Sequence, residues 1–445
     1  MRRLTLVAAA ALMACGGANA QTNQELANAL QQAMRTIQEL EARVKALEAQ
    51  KSASPAPAPA ATAAGPVVVA PGVAPEEGAK DAGQARVEVY GQAMLDAIFD
   101  FKRMDPQWQA TLRPSQIPVF CPGSPGCGND GSFNFSIRQS SLGVRGFIPT
   151  TYGVIKTDLA FDLFGSDGGT NIHWLRAWAE LGKFGAGQYD SNFMDMGVFP
   201  NTIDYWGPPG MVFVRNPQVR WTFLDDRNMK AVVSLEAPNS IIDTGKLTQI
   251  DPSLGAGIQA RNKLPDLVGS FRYGGDWGHF KAAGLLRQVG FHNINSPDGE
   301  PANSLTGYGL NLSGTVKVGK PGQVNWQVVG GKAIASYMND GGIDLAPNAS
   351  IRAETVRTLA YLLYYNHAWN DKFTSAIGYS QHKQENTGGQ AGSAFRRGSY
   401  ASANVLYTFA KNVTTGVEYI WGKHETKDGS SANDSRLQWS TRVSF

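Results

Sequence analysis

Residues Ser435–Phe445 read SRLQWSTRVSF, and these last residues decide the fold. Leu437, Trp439, Val443 and Phe445 share one side of an extended chain, and Arg436, Gln438, Ser440, Arg442 and Ser444 share the other. A period of two is the mark of a half-buried strand, because successive side chains point to opposite faces of a sheet. The same pattern stands far upstream in VEVYGQAMLDAIFDF, residues Val87–Phe101. There Val89, Ala93, Leu95, Ala97 and Phe99 oppose Glu88, Gln92, Asp96 and Asp100.

Between these two stretches the chain repeats the pattern in about sixteen runs. The connections lengthen and shorten in turn. Residues 102–131, 199–210, 238–263, 292–303, 338–353 and 386–395 are long and polar or rich in Gly and Pro. Tight turns fall at Pro149, Asp225-Asp226, Gly274-Gly275, Lys320-Pro321, Asn370 and Lys411. Long loops at one end and tight turns at the other predict a sixteen-stranded antiparallel transmembrane β-barrel over residues 85–445. An even strand number places both barrel termini on the tight-turn side, which is the periplasmic side. A soluble β-sandwich also alternates. It gives no reason for so many consecutive strands behind an export signal, nor for aromatics near strand ends. Tyr90, Phe133, Tyr152, Tyr273, Trp277, Tyr419, Trp421 and Trp439 suit the interfacial girdles of a barrel. The terminal Phe445 resembles the C-terminal signal of bacterial outer-membrane barrels.

The export signal is residues 1–20. Arg2 and Arg3 precede a short apolar run, and Ala18-Asn19-Ala20 is a small-residue cleavage site. A competing reading takes Leu12-Met13-Ala14-Cys15 as a lipoprotein box, with a lipid on Cys15. The 40 Lys and Arg nearly balance the 37 Asp and Glu. A nucleic-acid surface would need a strong basic excess, so none is expected. Cys121 and Cys127 lie six residues apart across turn residues in an exported chain, which reads as a disulfide closing a tight loop. A metal site is the alternative; the six histidines are scattered, and no metal or cofactor is expected.

Two further segments precede the barrel. Leu26, Leu30, Ala33, Ile37, Leu40, Val44 and Leu47 form an unbroken heptad series, so residues 21–51 are predicted to be a helical coiled coil with partner chains. The β-branched and Leu pattern of its seam leans towards a dimer. Arg43-Val44-Lys45-Ala46-Leu47-Glu48 resembles instead a motif of trimeric coiled coils. Residues 52–84, rich in Pro and Ala, cannot build a core and are predicted to be a semi-rigid linker.

The stretch Thr202–Trp221, TIDYWGPPGMVFVRNPQVRW, carries the functional reading. Residues 199–210 connect the fifth and sixth strands, so they form the third external loop, expected to fold inward as a constriction with Asp204, Tyr205 and Trp206. Asp204 reads as a loop brace bonded to arginines opposite, and not as a substrate residue. Val212 and Val214 then face lipid and Arg215 the lumen. Asn216-Pro217 is expected to be a bulge, after which Arg220 faces the lumen. An arginine on the lipid face near the midplane would cost roughly 2–4 kcal/mol. The same alternation puts Arg138, Arg145, Arg176, Arg272, Arg287, Lys156 and Lys281 inside, with a bulge near Ser140 to bring Arg145 into phase. A cationic lining favours anions, and guanidinium forks bind carboxylates in pairs of bonds. Each such arginine has a second reading, pairing with a lumenal acid to hold the wall or a loop.

Taken together, GQYDSNFMD (Gly187–Asp195), the stretch through RNPQVRW, PDLVGSFRY (Pro265–Tyr273) and the last strand resemble the DcaP-like outer-membrane porins. That resemblance covers nearly the whole mature chain. It implies a homotrimer in the outer membrane of a Gram-negative bacterium, with its coiled coil in the periplasm. It also implies a diffusion channel for small organic anions, dicarboxylates in particular, and it favours the trimeric reading of the coiled coil. Much of the first long loop, including Cys121 and Cys127, is not part of that resemblance. No Gly-x-Ser-x-Gly elbow or His-Glu-x-x-His motif is present, so no enzyme is expected. The alternative is a structural tether or adhesin whose coiled coil contacts peptidoglycan.

Overall fold

The structure is a computed structural model, and it describes residues 85–128 and 130–445. The signal peptide, Cys15, the coiled coil and the linker lie outside the described residues.

Its strands are β1 (Arg86–Asp100), β2 (Ser132–Ser136), β3 (Ser141–Thr150), β4 (Gly153–Phe164), β5 (Thr170–Leu181), β6 (Phe184–Asp190), β7 (Arg215–Asp225), β8 (Met229–Glu236), β9 (Ile258–Ala260) and β10 (Asp266–Gly275). They continue as β11 (Gly278–Asn293), β12 (Asn303–Val318), β13 (Gly322–Lys332), β14 (Leu345–Pro347), β15 (Ala353–Thr355), β16 (Arg357–Ala368), β17 (Phe373–Glu385), β18 (Phe395–Ala410), β19 (Val413–Thr426) and β20 (Ser431–Ser444). Sixteen of them form an antiparallel wall. The short β2 and β9 extend that wall, and β14–β15 is a separate small ribbon. β1 pairs with β20 from Gln92↔Ser444 to Asp100↔Arg436, which closes the barrel. Closure matters because hydrocarbon offers no partner for the unpaired N–H and C=O groups of a sheet edge.

Turns of two to four residues, such as 151–152 and 411–412, close one end, where both ends of the barrel chain also lie. The other end carries the loops, here numbered L1 to L8 in chain order. L1 (101–131), L3 (191–214), L4 (237–265) and L6 (333–356) are long, whereas L2 (165–169) and L8 (427–430) are as short as turns.

Outward side chains are apolar and exposed on the single chain: Val87, Phe135, Leu159, Leu363 and Ile377 are each at least half exposed. Tyr152, Trp277 and Trp369 stand at turn-side ends, as a girdle requires. Tyr90 is a correction. Alternation with Val87 and Val89 turns it inward, where its hydroxyl donates to Asp158.

The predicted phase change near Ser140 is present. Asp96 opposes Ser136 and Gln92 opposes Ser141, so residues 93–95 on β1 face residues 137–140. One extra residue flips the alternation between β2 and β3. Ser140 Oγ accepts from Met94 N and donates to Met94 O, replacing ladder bonds that the bulge removes.

The expected bulge at Asn216-Pro217 is absent. Pro217 pairs with Gln188 in unbroken register, and the β7 irregularity lies between Thr222 and Leu224. Val212 and Val214 also do not face lipid. β6 ends at Asp190 and β7 begins only at Arg215, so both valines belong to L3. Val212 is fully buried inside the barrel and Val214 packs beside it. The inner wall here is itself apolar, through Val268, Leu285, Val329, Ala360, Leu362 and Tyr364. An apolar loop lying on an apolar inner wall has the same hydrophobic spacing as a strand facing lipid, which is why the spacing misled.

Candidate channel constriction

L3 crosses the interior and is fixed at several points. At its start, Asn192 N donates to Glu236 (2.9 Å) and Ser270 Oγ donates to Asn192 Oδ1 (2.6 Å). Phe193, Met194, Val198 and Phe199 then bury themselves against the inner wall. Asp195 accepts from Gly197 N, from Ser313 Oγ (2.7 Å) and bonds His279 Nε2 (2.8 Å). Burial pushes the Asp195 carboxyl up, but the His279 bond and charge, the Lys281 charge and the Ser313 bond outweigh it and hold the group at about 2.

Asp204 is held by neutral donors and not by the arginines opposite that the sequence suggested. It is buried and accepts from Thr111 Oγ1 (2.7 Å), Leu112 N (3.1 Å), Gly207 N (3.3 Å) and Tyr400 OH (3.1 Å). Burial pushes its carboxyl above the usual range, with the Arg436 charge and its donors acting against that. Tyr205 stacks on Phe164 at 4.1 Å between centroids and donates to Asp162. Trp206 Nε1 donates to Asn339 O in L6 (2.6 Å). Gly207 holds φ +70°, a backbone that L side chains rarely adopt, and so makes the turn into Pro208-Pro209.

L1 joins this assembly, a role the sequence analysis did not assign it. Arg113 lies between two indoles, 4.1 Å from the Trp108 ring and 4.2 Å from Trp206, while its Nε donates to Asp340 of L6 (2.9 Å). Ser115 N and Oγ donate to the same carboxylate. One arginine thus locks L1, L3 and L6 together. A Trp and an Arg within the otherwise polar DPQWQATLRP stretch were the available signal. Cys121 and Cys127 are bonded, S–S 1.97 Å, at an exposed part of L1.

The predicted cations all occupy the inner face or the loop end, in different circumstances. Arg145, Arg176, Arg215 and Arg220 cluster on β3 to β7 around Asp158 and Asp190. Arg176 reaches Asp158 (3.5 Å) and Asp190 (3.1 Å), Arg215 reaches Asp190 (2.8 Å) and Arg145 reaches Asp158 (3.7 Å). Arg220 bonds Gln218 and the Asp190 carbonyl, beside the rings of Trp178 and Tyr189. Three guanidinium groups therefore share two carboxylates, and the fourth lies beside them on the Asp190 carbonyl. Arg215 points inward because it is the first residue of β7, where the chain leaves L3, and not because of a bulge. Arg287 is buried outright between Asp266 (3.1 Å) and Asp344 (3.6 Å). Arg138 sits at the loop end and donates to the Gly168 and Gln107 carbonyls. Lys156 pairs with Glu180 at 3.3 Å in the open, and Arg272 is exposed. Arg138, Arg272 and Arg287 stand apart from the four-arginine cluster. Sequence reasoning passed over Arg113 and Lys230 altogether, and left Arg436 and Arg442 as inward residues without a role.

Residues 75–248 match the family described as DcaP outer membrane protein. No curated protein matches the chain. Among solved structures, the outer membrane channel DcaP of Acinetobacter baumannii is 21% identical, with a TM-score of 0.70, covering 83% of this chain and 99% of that one. The anion-selective porin from Comamonas acidovorans is 10% identical, with a TM-score of 0.54, over 81% of this chain and 100% of that one. A trimer form of OmpT from Vibrio cholerae is 13% identical, with a TM-score of 0.50, over 82% and 100%. These likenesses show the fold, that of outer-membrane porin barrels.

Proposed function

From a chain that is DcaP-like over residues 75–248 and folded as a sixteen-stranded outer-membrane barrel, we propose a diffusion channel for small organic anions, dicarboxylates among them. The observation that carries this reading is the inner-wall cluster of Arg145, Arg176, Arg215 and Arg220, whose direct carboxylate partners are Asp158 and Asp190. The cluster keeps an excess of positive charge at every pH the barrel meets, because guanidinium does not deprotonate. Low-dielectric walls strengthen that field in a narrow lumen. Arg145 and Arg220 are only half-buried and are the two that a passing carboxylate meets. Arg176 and Arg287 are buried among acids and hold the wall. Weak, successive contacts suit conduction better than one tight site.

The Arg43–Glu48 motif and the DcaP resemblance, against the dimer lean of the heptad seam, support a homotrimer, with the coiled coil in the periplasm and the Pro- and Ala-rich linker as spacer. The test is a reversal potential across a planar bilayer under a KCl gradient. A potential favouring chloride, with closure in three steps, supports the reading. A potential favouring potassium overturns it.

A further inference from the structure

Outside the arginine cluster, the inner wall carries a second group of cations. Register sets Lys230 on β8 opposite Arg272 on β10, and Arg272 opposite Lys281 on β11. Three cations therefore stand in one row across three adjoining strands, roughly 5 Å apart from strand to strand. They face inward by parity. Glu236, Asp266 and Arg287 form the corresponding row six positions nearer the loops, and Glu236 holds L3 while Asp266 pairs with Arg287 inside.

Like charges directly opposite one another destabilise a sheet, and little in the row offsets them. Lys230 meets Asp225 at 3.1 Å, with both side chains about half exposed. Lys281 Nζ donates to the Met194 carbonyl of L3, a neutral acceptor. Arg272 has no hydrogen-bond or ion-pair partner among the described residues and is exposed. Asp195 and Glu236 act on Lys281 as negative charges, and Arg220 and Arg272 act on it as positive ones. The row sits close to the turns at 226–228 and 276–277, with L3 on its loop side.

We infer that Lys230, Arg272 and Lys281 form an anion subsite at the turn-side mouth of the lumen, taking small dianions such as a dicarboxylate or hydrogen phosphate. Arg272 supplies the paired donors that fit a carboxylate or phosphate edge, and the two lysines supply charge on either side. A solute that has passed the Arg145 and Arg220 region then meets a second weak station before it leaves. This subsite rests on the anion-channel reading above.

The test uses the full chain in planar bilayers, with sodium succinate, sodium phosphate and sodium acetate as probes. In the unaltered protein, succinate and phosphate should saturate the current noise at lower concentration than acetate. Arg272→Gln should raise the half-saturating succinate concentration roughly tenfold, the size of losing one charge-assisted bond. Lys230→Gln, at a half-exposed position, should raise it less. Both variants are checked for heat-modifiable migration as folded barrels. Saturation by either dianion, weakened in the variants, supports the subsite. Equal saturation by acetate, or half-saturation unchanged in both folded variants while chloride selectivity persists, overturns the subsite alone. A cation-selective unaltered protein overturns the channel reading beneath it.

Discussion

Two adjoining stretches of the lumen wall use charge in opposite ways. On β3 to β7, Arg145, Arg215 and Arg220 keep part of their surface open. On the adjoining strands β1, β19 and β20, Asp96, Asp100, Glu418 and Asp434 are almost fully buried, as is Asp204 in L3. Those acids are spent on structure. Glu418 accepts from Ile203 N and Asp204 N, Asp96 from Ser440, Gln139 and Gln438, and Asp434 from Lys102 N. Arg436 is the cation among them, bonded to Asp100 at 2.7 Å. Counting charges around the ring would make the lumen nearly neutral. Counting only those that a solute can touch makes it positive, because these carboxylates are buried behind the groups that hold them.

The difference can be broken from either side, and the largest effect belongs to the struts. Arg287→Ala leaves Asp266 and Asp344 buried and unpaired, at a cost of about 3–5 kcal/mol. The folded band on an unheated gel should be lost at a clearly lower temperature. Arg113→Ala removes the clamp between the two indoles and strands Asp340, whose side chain is fully buried. L1 should become sensitive to limited proteolysis while the barrel stays intact, and unitary conductance should rise.

Acid should release L3 next. The folded pKa of Asp195, about 2, lies below the roughly 4 of an unfolded aspartate. Its stabilisation is therefore present above about pH 4 and lost as pH falls through about 2, an effect of about 2 kcal/mol. Channel noise should grow over that window, and Asp195→Asn should remove the pH dependence. The smallest effect is expected from Cys121→Ser with Cys127→Ser. The bridge closes an exposed part of L1 away from the Arg113 clamp, so conductance and selectivity should stay unchanged in the same bilayer recordings.

The wall was legible because lipid imposes a strict alternation: a strand such as β16, with Leu359, Tyr361 and Leu363 outward, admits one reading. The one-residue bulge before β3 was legible too, since Phe135 and Val144 face lipid in opposite parity. Three kinds of feature escaped. L3 hides its borders because Val212 and Val214 meet an apolar inner wall instead of lipid. Tyr90 looked like a girdle residue because residue type alone does not give the face. The Arg113 clamp joins residues more than 200 positions apart, and no spacing rule reaches that far. Inward arginines could be assigned a face, but which of them spend their charge on an acid depended on partners such as Asp190 and Asp266 that only the closed barrel brings near.

The most direct test reverses the open side and leaves the struts alone. The double variant Arg145→Glu and Arg220→Glu, recorded in a planar bilayer under a KCl gradient, should still form folded pores. Its reversal potential should move from favouring chloride to favouring potassium. Selectivity for chloride retained in the double variant would contradict the account, since the charge a solute meets would then lie elsewhere in the barrel.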